Sequence, residues 1–165
     1  LYAFRQVQPI SAILTAGFLE FSIKVIVVAL LALALYLIGE GFAIHDPLLL
    51  ISLFALLWIF SISLGLIFAI AAAFVPEVDK IKSMLTRPLM FISCVFFSLQ
   101  DFPEKFWPYL TWNPLVHFNE LARYACFESY GDKGVSMAFI IEVTIATVFL
   151  SLAMYHITWK RVLSR

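Results

Sequence analysis

Residues 112–131, WNPLVHFNELARYACFESYG, gather the side chains best suited to chemistry in this 165-residue chain. Glu120 with Arg123 has the i,i+3 spacing of an ion pair on one helix face, while His117 is isolated from any catalytic partner. Trp107, Tyr109, Trp112, Tyr124 and Tyr130 supply ring faces suited to a membrane–water interface or to stacking on sugars. Elsewhere the titratable groups are scattered: His45-Asp46 and His156 stand apart from other acids and bases. No Ser-His-Asp order, no HExxH and no GxxxxGK[ST] phosphate loop occurs in the sequence. Cys94 and Cys126 form neither a CxxC nor a disulfide framework. The sequence therefore gives no expectation of a catalytic centre, a metal or a cofactor.

The elements that position this stretch are built for lipid. The chain is 63% hydrophobic and 13% charged, with 17 Phe and a formal net charge of zero. Soluble domains run at about 45–50% apolar and about 25% charged. Too much apolar surface is present for a soluble interior of this length, and the neutral charge excludes a nucleic-acid partner. About 20 apolar residues in a helix cross the hydrocarbon core. Four spans are expected, over about 10–38, 48–75, 83–99 and 135–158, in a single transmembrane domain. The third is the shortest, because Arg87 and Pro88 confine its uncharged run. Arg5, Lys80, Lys82, Arg87, Lys160, Arg161 and Arg165 fall on one side of this topology, against Lys105, Arg123 and Lys133 on the other. The excess marks both ends and the 76–87 loop as cytoplasmic, which puts 101–130 on the outer side.

In that outer segment Pro103, Pro108 and Pro114 punctuate the chain, and Asn113-Pro114 reads as an N-cap followed by Pro at the first helical position. A helix is expected from Pro114 to about Phe127, too short to span. Leu115, Phe118, Ala122 and Cys126 would line one face and His117, Glu120 and Tyr124 another. One reading is an interfacial aromatic belt with a structural Glu120–Arg123 pair. The other is a re-entrant helical hairpin forming an outer gate, with Trp107, Tyr109, Trp112, His117, Glu120, Arg123 and Tyr124 on the exit path.

Ser61, Gly65, Ala69 and Ala73 recur at spacings of four and form a smooth groove for a neighbouring helix, within the subunit or at a dimer seam. Glu20 and Lys24 form an i,i+4 pair. Glu142 sits inside the last span and needs protein or water beside it, with Arg123 as a candidate partner. Glu77, Asp79 and Lys80 lie in the cytoplasmic loop.

Three stretches carry a resemblance: LYAFRQVQPISAILTAGFLE, AAAFVPEVDKIKSMLTRPLMFISCVFF and WNPLVHFNELARYACFESYGD. Their Leu-Tyr…Arg-x-Val, cytoplasmic-loop and Trp-x-Pro…His-x-x-Glu…Arg patterns resemble the membrane subunit of type-two ABC exporters of capsular polysaccharide or O-antigen. The resemblance implies an all-α, polytopic inner-membrane bundle whose four spans are the last four of six, so that an N-terminal part is missing from this chain. It implies a homodimer working with a separate ABC ATPase to move lipid-linked polysaccharide, and leaves room for periplasmic or outer-membrane export components. It places ATPase coupling near Phe4 and Arg5, with Glu77, Asp79 and Lys80 as further contacts. A type-two efflux permease for drugs or small lipids is the alternative, and an integral-membrane transferase a more distant one.

Overall fold

The computed structural model describes residues 9–39, 44–127 and 129–163. Among these there are helices and turns and no strand. Phe4 and Arg5 lie outside the described residues. Residues 1–44 and 45–165 are two compact units and are taken separately.

The first unit contributes one helix, α1 (Pro9–Ile38). Glu20 and Lys24 on it are 3.9 Å apart, one turn from each other in the favourable Glu-first order.

The second unit begins with α2 (Pro47–Phe74). Asp46 caps it, its Oδ1 accepting from the Leu49 amide at 3.0 Å, and Pro47 at the first position gives up no hydrogen bond. Val75-Pro76 turns the chain into α3 (Glu77–Ile92), which continues through Pro88. Residues 99–101 and 104–106 form single 3-10 turns, followed by the one-turn α4 (Trp107–Leu110), α5 (Pro114–Cys126) and α6 (Met137–Leu163). Three helices are long and apolar enough to cross a membrane: 10–38, 47–74 and 137–158. The segment expected as a span over 83–99 is different. Its helix begins earlier, at Glu77, and stops at Ile92, giving about 24 Å of helix. It stops because residues 93–98 turn, with Cys94 in the left-handed region at φ 55°.

α2 packs along α6, and α5 lies against both. Leu53 and Phe60 of α2, Phe118 and Leu121 of α5 and Ile140 of α6 form the main apolar core. The Asp46 amide donates to the Ala125 carbonyl at 2.9 Å, while the Phe60 and Phe118 rings meet at 5.9 Å. α5 therefore runs antiparallel to α2, and its first turns lie about 20 Å down α2 from that helix's start. The face α2 buries is Leu53, Phe60, Ser63, Leu66 and Ile70. Ser61, Ala69 and Ala73 are exposed, and a Cβ at Gly65 would meet nothing within 4 Å. The small-residue stripe is thus not the surface on which α2 meets α5 and α6.

Candidate functional site

The site is built where the turn after α3 meets α5. Asn113 caps α5 through Oδ1, which accepts from the Leu115 amide at 3.0 Å, and its amide nitrogen reaches back to Ser93 Oγ at 3.0 Å. Two turns on, Glu120 is 2% exposed. One of its oxygens accepts from the Leu99 amide at 2.9 Å and from Arg123 at 2.6 Å, and the other accepts from Ser98 Oγ at 3.2 Å. Arg123 spreads its fork over the turn. Nη1 donates to the Phe97 carbonyl at 3.0 Å, and Nη2 to those of Cys94 at 2.6 Å and Val95 at 2.9 Å. Asn119 adds a bond to the Ser93 carbonyl at 2.7 Å. Turn carbonyls buried without partners would each be costly, and one guanidinium bonds three of them. Ser98 also opens its own capping box, with its amide on Asp101 Oδ2 at 2.8 Å.

His117 is buried and holds a second junction. The Ser136 amide donates to Nδ1 at 2.9 Å, so Nδ1 is unprotonated, and Nε2–H donates to the Thr111 carbonyl at 2.7 Å. The neutral ring thus links the end of α4 to the start of α6. Burial pushes its pKa below the ordinary value, against the opposing pull of the Thr111 carbonyl.

Trp107 is a third fastening. Its indole N–H donates to the Phe102 carbonyl at 3.0 Å, and its ring lies on Gly134, which has φ +83°. Tyr109 and Trp112, by contrast, are 80% and 85% exposed, and Phe106 beside them carries the Lys105 ammonium 5.0 Å from its ring centre. Tyr124 is half-buried and meets His45 edge-on at 5.7 Å.

The seven residues expected on an exit path therefore divide. His117, Glu120 and Arg123 form internal fastenings, Trp107 and the half-buried Tyr124 are packing residues, and Tyr109 and Trp112 present open rings. His117 and Glu120, expected on a different face of α5 from Phe118, are buried too, so α5 is covered on more than one face: Glu120 against the 98–99 turn and Phe118 in the core with α2 and α6. Arg123 faces Glu120 and the turn rather than Glu142, which is exposed on α6. Glu77, Asp79 and Lys80 are exposed at the start of α3. Ser93, Ser98, Asn119 and Ser136 were not signalled as site residues; only the S-x-x-D pattern at Ser98 offered a clue. The arrangement has the chemistry of a structural clamp, since the Glu120 carboxylate and both terminal nitrogens of Arg123 already have partners. Among the described residues no three His, Cys, Asp or Glu side chains gather as metal ligands do.

Long apolar helices α2 and α6, with the short polar-clamped α5 folded against both, define a helical membrane-protein unit. The chain belongs to the ABC-2 type transporter family, whose profile matches residues 2–127. It is 41% identical over 156 residues to the polysialic acid transport protein KpsM of Escherichia coli, covering 94% of this chain and 60% of that protein. It is 29% identical over 153 residues to the capsule polysaccharide export inner-membrane protein BexB of Haemophilus influenzae, covering 91% of this chain and 57% of that protein. The chain thus spans about three-fifths of the length of these relatives.

Proposed function

We propose that this chain is the membrane subunit of an ATP-driven exporter that carries capsular polysaccharide across the bacterial inner membrane. The observation that carries the reading is the 41% identity to KpsM along 94% of the chain. ATP hydrolysis falls to a partner ABC ATPase, a reading supported by the ABC-2 family match, and the subunit meets it through the exposed Glu77, Asp79 and Lys80 and the Phe4–Arg5 segment. A second copy of the subunit completes the path, and lipid-linked glycan is the cargo. Residues 93–126 act as a re-entrant hairpin on the outer side. Its position alongside the first half of α2 supports this, and its irregular backbone at 93–98 is tolerable at membrane depth because Arg123, Asn119 and Glu120 bond it. Tyr109 and Trp112 offer ring faces to the emerging sugar chain.

Deleting the gene in an encapsulated host tests the reading. Surface polysaccharide should disappear and accumulate inside the cell, and return with the gene but not with a copy lacking residues 93–126. Unchanged surface polysaccharide would refute it, and new sensitivity to small toxic compounds instead would mark an efflux permease.

A further inference from the structure

α3 is unusual in how it is held. It touches α2, but every residue from Asp79 to Ile92 is exposed, so that contact is shallow and the helix contributes nothing to the buried core. Immediately beyond it the chain is sealed: Ser93, Cys94, Ser98 and Leu99 are between 0 and 5% exposed. The sealed turn is held mainly by hydrogen bonds. Seven of them join residues 93–99 to Asn113, Asn119, Glu120 and Arg123. Five of the seven use the Glu120 carboxylate or the Cys94, Val95 and Phe97 carbonyls under the Arg123 guanidinium in directional contacts, and Phe97 and Trp107 pack around them.

The other face of α5 is different in kind. Against α2 and α6 it presents Phe118 and Leu121, whose contacts are non-directional and tolerate small sliding. Single hydrogen bonds tie its two ends, Ala125 to Asp46 and His117 to Ser136. A shape change in this unit would therefore disturb the α5 contacts with α2 and α6 before it opened the clamp, because charge-assisted bonds lost in a buried site cost far more than a small shear.

We propose that α3, the 93–99 turn and α5 move as one body during transport, with Arg123 as the positioning residue that joins them. Displacement at the Glu77–Lys80 end of α3 then reaches α5 and the aromatic segment ahead of it. This rests on the transport reading above but concerns which parts move together.

Cys94 gives the test, since it lies under the clamp with no exposed surface. In the full-length transporter with its ATPase, in membrane vesicles and with Cys126→Ser, N-ethylmaleimide labelling read on the Cys94 peptide should be no faster during ATP turnover than at rest. Arg123→Lys keeps the charge but cannot bridge three carbonyls. It should raise Cys94 labelling about tenfold through local opening, and should lower glycan exported per ATP hydrolysed while the subunit still inserts and binds the ATPase. Labelling of Cys94 that accelerates with ATP while the clamp is intact overturns the proposal, and that measurement needs no clamp variant. So does an Arg123→Lys transporter whose export per ATP is unchanged. Failure of the Cys126→Ser parent to export glycan would count against the transport reading, while the comparison with and without ATP would still decide the one-body motion.

Discussion

At the scale of single residues, the clamp depends on a carboxylate and a guanidinium that no longer face water freely. Removing one partner leaves the other buried with its hydrogen bonds broken, a change of about 3–5 kcal/mol. Glu120→Ala should therefore lower the melting temperature of the purified subunit sharply, and Glu120→Gln less, because an amide oxygen still accepts from Leu99. An Ala variant as stable as the parent would show that the pair contributes little. His117 makes a prediction with a definite sign. Its folded pKa is depressed by burial, so its contribution is fully present above the ordinary value near 6.5 and is lost as pH falls through the lower folded value. Protonation also places a proton on Nδ1 opposite the Ser136 N–H. Thermal melts of the parent should fall below about pH 6, and His117→Ala should flatten that acid limb. The Glu120–Arg123 pair was legible in the sequence through its spacing of three. Its partners were not, because Ser93, Cys94 and Val95 lie 26 to 29 residues from the side chains that bond them.

At the scale of elements, what could be read depended on contrast within each segment. Asn113-Pro114 announced the start of α5 because cap and proline chemistry are local. α2 carries no charge, so nothing in its pattern distinguishes a packed face from a lipid face, and the small-residue stripe drew attention to a side that is exposed. Leu66, which is buried, should cost about 2–5 kcal/mol on replacement by Ala. Ala69→Leu should leave the melt of the isolated subunit within about 0.5 kcal/mol, and the reverse ranking would mean that α2 is turned the other way. The end of α3 at Ile92 escaped sequence reading for a related reason: CVFFSL looks like a continuing apolar helix, and distant side chains on α5, Arg123 with Asn119 and Glu120, make a turn there tolerable. Gly134 is the clearest steric test in the outer segment. A methyl group there would come within 2.7 Å of the Trp107 ring on a backbone with φ +83°. Gly134→Ala should destabilise the fold and release the Trp107 fluorescence to a more solvent-exposed spectrum.

At the scale of the whole molecule, much of the surface is apolar: Met84 on α3 and Phe149 on α6 are each 75% exposed, and Leu48 on α2 is 77% exposed. Such a surface is stable only against lipid or another apolar protein face. The proposed topology puts Asp79 and Trp112 on opposite sides of the membrane. In a background with neither native cysteine, a membrane-impermeant maleimide applied to spheroplasts should label Trp112→Cys and leave Asp79→Cys untouched. The opposite pattern would invert the orientation that the positive charges suggest.

The clamp also bears on the order in which the protein is made. Its donors and acceptors all lie between Ser93 and Arg123, so the set is complete once Arg123 is available to fold. α6 comes later, and the one hydrogen bond that reaches it from His117 ends on Ser136, just before that helix begins. The proposed hairpin would therefore close on itself during synthesis, presenting a bonded turn instead of bare carbonyls to the bilayer while α6 is still inside the ribosome. α6 then docks onto a surface already formed.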